Sequence, residues 1–81
     1  MNSDQITQAV LAVLGEVAPD ADLAFVEPDA DLRTEIDLDS MDFLNLVEGI
    51  AESTGVDIPE ADYPRVRSLA GLTEYVAEHA S

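Results

Sequence analysis

Apolar side chains recur at spacings of three and four in three separate stretches of this chain, the signature of helices that bury one face. In the first, Ile6, Val10, Val13, Leu14 and Val17 form one stripe, while Gln5, Gln8 and Glu16 fall off it. Pro19 ends this helix, and Gly15 weakens its last turn. The second stretch runs through Phe43, Leu44, Leu46, Val47, Ile50 and Ala51. It starts at Asp39 or Ser40: Asp39 is a good N-cap, and Asp42 puts a carboxylate into the first turn. Thr54-Gly55 stops it, with Gly55 placed just past the last helical residue. The third helix is capped by Ser68 and buries Leu69, Leu72 and Val76, with Tyr75 as a further candidate.

Between the first two helices lies a long connection from Pro19 to Asp39. Its apolar residues, Leu23, Phe25, Val26, Leu32, Ile36 and Leu38, keep no sustained period. Structureless loops of this length are uncommon inside compact domains and are usually functional. Leu23, Phe25 and Leu32 are expected to pin it onto the helices. After the second helix, Val56 to Tyr63 reads as a short extended piece with one helical turn opened by Pro59 and broken at Pro64. Strand-length alternation, internal repeats and low-complexity runs are absent. The pattern predicts a single all-α domain over residues 1–81: a small antiparallel four-helix bundle, three main helices and one short, with a long first loop.

Composition narrows what such a bundle can do. The 81 residues include 18 Asp plus Glu against 3 Lys plus Arg, a formal charge of −15, and no cysteine. That balance argues against nucleic acid, which needs clustered cations, and against an anionic membrane surface. Without cysteine there is no disulfide, thiolate metal site or cysteine nucleophile. The single histidine, His79, sits in the expected last turn, where it suits the helix terminus better than catalysis. No apolar run reaches the roughly 18 residues of a membrane span. No basic, apolar leader opens the chain, and a cytoplasmic monomer is expected. The 47% hydrophobic content is too high for a disordered acidic tail. The core is nevertheless thin and the charge self-repelling, so stability should be modest and salt-sensitive.

The informative stretch is Asp37-Leu38-Asp39-Ser40-Met41-Asp42. Ser40 falls where the long loop meets the amino end of an amphipathic helix, so its hydroxyl should be exposed. A phosphate joined to it would face free N–H groups and the positive end of the helix dipole. Ser40 has no visible base to activate it, so another enzyme must make any modification. At ~100° per residue, Met41 falls roughly 160° from Phe43, amid the polar side formed by Asp42, Asn45, Glu48, Gly49 and Glu52. Core packing does not explain a methionine there. It reads as an adaptable apolar contact for a partner, ringed by charges that steer basic surfaces; the alternative is that it folds back over the long loop.

Asp39-Ser40-Met41 resembles the Asp-Ser-Leu motif of acyl carrier proteins and related peptidyl carrier domains. The likeness extends to Asp42, the apolar helix behind it, the Val56-Asp57-Ile58-Pro59 exit and the Ser68-started last helix. The resemblance implies that Ser40, flanked by Asp39, carries a 4′-phosphopantetheine arm. A phosphopantetheinyl transferase would install it from coenzyme A with magnesium. The arm's thiol would hold acyl cargo as a thioester, so the chain needs no cysteine of its own. The protein would catalyse nothing itself; it would present cargo to a loading ligase and to downstream transferases or synthases with basic docking surfaces. Met41, Asp42, Asn45, Glu48 and Glu52 would meet those partners. Phe43, Leu44, Val47, Leu72 and Tyr75 are candidates to line an acyl-chain space, although a thin core needs them first as ordinary packing.

Three departures qualify the likeness. Met41 replaces the commoner Leu with similar volume. Asp37-Leu38 replaces the usual glycine shortly before the Asp-Ser pair. Asn45 stands where fatty-acid-synthase carriers commonly place Glu, and Gly49 and Ala51 further dilute the acidic face, which favours a specialised lipid, polyketide or related pathway. A calcium loop is not supported: Asp37, Asp39 and Glu48 fit its first, third and twelfth positions, but Met41 and Asp42 spoil its middle. No metal site is expected. Arg33, Arg65 and Arg67 are expected in local ion pairs; Arg65 and Arg67 could instead contact the phosphate of the arm. Three functions remain open: a freestanding acyl carrier, an aminoacyl or peptidyl carrier, and an unmodified acidic helical interaction module in which Ser40 is only the first helical residue.

Overall fold

The computed structural model describes residues 2–80. Helix α1 spans Ser3–Val17. Asn2 opens it with a reciprocal cap: its side chain accepts from the Gln5 N–H at 2.9 Å, and the Gln5 side chain accepts from the Asn2 N–H at 3.0 Å. It stops two residues short of Pro19, whose ring disfavours helical backbone in the residue before it. Its buried stripe is Ile6, Val10, Val13 and Leu14, with Val17 half-buried. Helix α2 is the single turn Leu32–Glu35 inside the long loop, capped by Asp31. Helix α3 spans Ser40–Thr54 and buries Phe43, Leu46, Val47 and Ile50. It ends at Gly55, whose φ of 75° is left-handed backbone that glycine adopts without a Cβ penalty. A 3₁₀ helix covers Glu60–Val66, and α4 spans Leu69–His79 behind its Ser68 cap. Among the described residues there is no strand, and no helix is long and apolar enough to cross a membrane.

Helix α1 packs against both α3 and α4, and α4 also carries the 3₁₀ helix. The result is the expected small helical bundle, with the 3₁₀ helix as its short fourth member. Leu14, Leu32, Leu46, Ile50 and Leu72 meet at the centre with no solvent exposure. Gly49, read from the sequence as part of the polar side of α3, instead lies where the helix meets α1. A Cβ built there would come within 2.5 Å of Val13 Cγ1. The absent side chain is a packing requirement of the α1–α3 contact.

The long loop differs from its expected form in three ways. It contains α2 and a 3₁₀ turn at Leu23–Phe25. Its backbone is tied down by two hydrogen bonds, Leu32 N–H to the Arg67 carbonyl at 2.8 Å and Ala70 N–H to the Pro28 carbonyl at 2.9 Å. And Phe25 does not pin it: the ring is 80% exposed. A 3₁₀ turn places residues three apart on one face, so Leu23 and Val26 turn inward together and Phe25 is carried outward. Leu32 does anchor the loop, with Leu38 and half-buried Ile36 beside it. Pro64 also departs from expectation. It sits within the 3₁₀ helix and does not break it, because its fixed φ suits that backbone.

Candidate functional site

Ser40 is the first helical residue of α3 and is exposed. Its placement follows from the two flanking aspartates. The Asp39 carboxylate accepts from the Asp42 N–H at 2.8 Å, and the Asp42 carboxylate accepts from the Asp39 N–H at 3.4 Å. This reciprocal cap fixes where the helix begins, and so fixes Ser40 at its rim. Both side chains are committed to backbone donors. The Ser40 and Met41 amides precede any intrahelical acceptor, so they remain available to an anion. The turn leading in is tight: Asp37 takes a φ of 52°, and it is the described non-glycine residue with positive φ. The glycine missing from this stretch is thus replaced by a residue type that tolerates left-handed backbone.

A cleft of about 400 Å³ opens beside Ser40, walled by Phe43, Leu44 and Tyr63 and edged by Arg33, Arg67 and Glu60. Phe43 and Tyr63 meet edge to face, with centroids 5.1 Å apart. Of the residues proposed to line an acyl space, Phe43 and Leu44 border this cleft. Val47, Leu72 and Tyr75 are packed in the core and do not. Leu44, at the margin of the apolar stripe, is 42% exposed. A larger cleft of about 550 Å³ lies between the first loop and α3, with Phe25, Val26 and Ile36 among five carboxylates; Ser40 is not part of it.

Met41 is 66% exposed on the outer side of α3, and Asn45, Glu48 and Glu52 are exposed along the same helix. Asp42 is half-buried by its capping role. At the opposite end of α4, Tyr75 is buried and donates its hydroxyl to Asp62 at 2.6 Å. That bond, then burial, holds the phenol above its ordinary range. His79 stacks on Tyr75 and donates from Nδ1 to the Tyr75 carbonyl at 2.9 Å, and it does not line the cleft beside Ser40.

The arginines divide unequally. Arg65 bonds Glu78 at 2.7 Å and covers the Tyr75 ring, as a local ion pair should. Arg33 and Arg67 depart from that expectation: among the described residues, neither has a carboxylate within 4.0 Å. Both instead edge the Ser40 cleft. Helical periodicity does not bring Arg33, Glu60 and Tyr63 beside Ser40, because the loop crossing that gathers them leaves no periodic signal. The scarcity of arginine was the one available signal. Among the described residues no group of three or more His, Asp or Glu side chains is arranged to hold a metal ion.

Residues 4–76 match the family described as the phosphopantetheine attachment site. The chain is similar to an acyl carrier protein of Rubrobacter xylanophilus, 27% identical over 75 residues, covering 89% of this chain and 93% of that one. It is also similar to an acyl carrier protein of Rickettsia typhi, 25% identical over 79 residues, covering 98% and 91%. The mitochondrial acyl carrier protein 2 of Arabidopsis thaliana is 25% identical over 79 residues, covering 98% of this chain and 62% of that protein.

Proposed function

This chain belongs to the phosphopantetheine attachment-site family, and we propose on that premise that it is an acyl carrier whose prosthetic group is joined to the Ser40 hydroxyl. The family works as a carrier, not a catalyst; it is modified by a phosphopantetheinyl transferase and serves acyl-handling enzymes. When bound, phosphopantetheine supplies a thiol on a flexible tether, on which acyl groups are activated. The rest of the work falls to the chain's own residues. The observation that carries the reading is the exposed Ser40 side chain at the rim of α3, within the matched residues and held there by the Asp39–Asp42 cap.

Ser40 supplies the attachment oxygen and no more. The chain's one histidine is stacked on Tyr75, so the modifying enzyme must supply the base. The first amides of α3 and its dipole favour the phosphate charge that results. Met41 offers an adaptable apolar contact to a docked enzyme, and Asp42, Asn45, Glu48 and Glu52 form the polar surround that steers basic surfaces toward it. Phe43 and Leu44 shelter cargo near the arm. Exposed Asn45 interrupts the acidic line of α3 and supports a dedicated carrier in a specialised lipid, polyketide or related pathway. Gly49 supports no such reading, because it is a packing residue.

The test is incubation with coenzyme A, magnesium and a broad-specificity phosphopantetheinyl transferase, followed by intact mass measurement. The unaltered chain should gain one phosphopantetheine, and Ser40→Ala should gain none. No gain by the unaltered chain would overturn the reading and leave an acidic helical interaction module.

A further inference from the structure

The chain holds only three arginines and no lysine, against 18 carboxylate side chains. In so acidic a protein an arginine would ordinarily find a carboxylate, as Arg65 does with Glu78. Among the described residues Arg33 and Arg67 have none within 4.0 Å, and both border the cleft that begins at Ser40. Their neighbourhood accounts for the pairing. The Leu32 N–H bonds the Arg67 carbonyl at 2.8 Å, which stitches the two arginine-bearing backbones side by side. Asp31, a near carboxylate in sequence, accepts from the backbone N–H of Arg33 at 2.9 Å. Glu60 also lines the cleft, yet it lies beyond ion-pair distance of both guanidinium groups. The cleft edge therefore carries two positive charges against one negative, a local reversal of sign in a chain of −15.

We infer that Arg33 and Arg67 together receive an anionic oxygen group brought into this cleft by what is tethered to Ser40. The inference rests on the carrier reading above. A guanidinium presents a planar fork of N–H donors that matches phosphate and carboxylate alike. Two sources supply that chemistry: the phosphodiester of the arm, and a carboxylate on the cargo. The apolar walls of Phe43, Leu44 and Tyr63 then cover the uncharged part of whatever lies between Ser40 and the arginines. A cargo made only of hydrocarbon adds no ligand for the forks, so with it they meet either the phosphodiester of the arm or water.

The test follows the Nε–Hε NMR signals of the three arginines in the full chain. Four states are compared: unmodified, bearing the arm alone, loaded with a succinyl group, and loaded with a butyryl group, each verified by intact mass. Arg33 and Arg67 signals should shift while that of Arg65 stays in place. A shift with the arm alone identifies the phosphodiester as the ligand; a shift only with succinyl identifies the cargo carboxylate. In Arg33→Gln the response of Arg67 should be lost, and the converse in Arg67→Gln, with amide spectra confirming that both exposed-site variants fold. Complete loading with Arg33 and Arg67 unmoved in every state, or moved by butyryl alone, would overturn the inference and leave the carrier reading intact. Failure to load would sink the carrier reading and this inference with it.

Discussion

At the scale of single residues, Asp37 is the informative position after Ser40. Its φ of 52° is a conformation that costs most side chains about 1–2 kcal/mol. Aspartate tolerates it, and glycine pays only the entropy of its unfolded state. Denaturant unfolding should therefore rank Asp37→Gly at or slightly above the native chain, and Asp37→Val below it by about 1–2 kcal/mol. Equal stability of the valine variant would contradict a left-handed turn ahead of Ser40. The residue pattern made Ser40, Asp39 and Asp42 legible, because a cap, a first-turn carboxylate and an amphipathic run specify a helix start locally. It could not place Arg33 and Arg67 together. Their meeting depends on a backbone hydrogen bond between segments distant in the chain, and no periodicity encodes such a crossing.

At the scale of elements, the three main helices follow from their apolar spacing, and their ends from Pro19, Asp39, Gly55 and Ser68. The irregular segments carry no such spacing. Leu23–Phe25 is too short for a period to show, so the outward turn of Phe25 emerges only once the 3₁₀ geometry is known. Gly49 carries a related lesson: a wheel assigns it to the polar side, yet α1 crosses α3 there. Gly49→Ala should lower stability by up to about 2 kcal/mol, since crowding Val13 costs about 1–3 kcal/mol and helix propensity returns about 1 kcal/mol of it. Stabilisation by this substitution would mean that the two helices are farther apart. The Tyr75–Asp62 contact joins α4 to the 3₁₀ helix. Because this bond and burial raise the phenol's pKa, the protonated form is favoured on folding. Its contribution is complete below the ordinary value of 10.0 and is lost as pH rises through the higher folded value. Thermal melts of Tyr75→Phe should show a shallower alkaline decline than the native chain; identical declines would remove Tyr75 from the account.

At the scale of the whole molecule, charge and core size oppose each other. A formal charge of −15 on 81 residues repels itself, and the core that resists it is a small set of aliphatic side chains with buried Phe43 and Tyr75. Added salt should raise the melting temperature, by about 4–8 °C for each ~1 kcal/mol of repulsion screened. A melting temperature indifferent to ionic strength would show that the charges are too well solvated to matter. The same field suits a carrier that meets several enzymes briefly, since steering speeds encounter without demanding tight binding. The cap, the cleft and the docking face of α3 all surround one oxygen at its rim, that of Ser40. Its most direct test is fragmentation mass spectrometry of the chain after transferase treatment, reading which side chain carries the added group. The account predicts a single phosphopantetheine on Ser40; the group on Ser53 or Ser68, or on no residue at all, would contradict it.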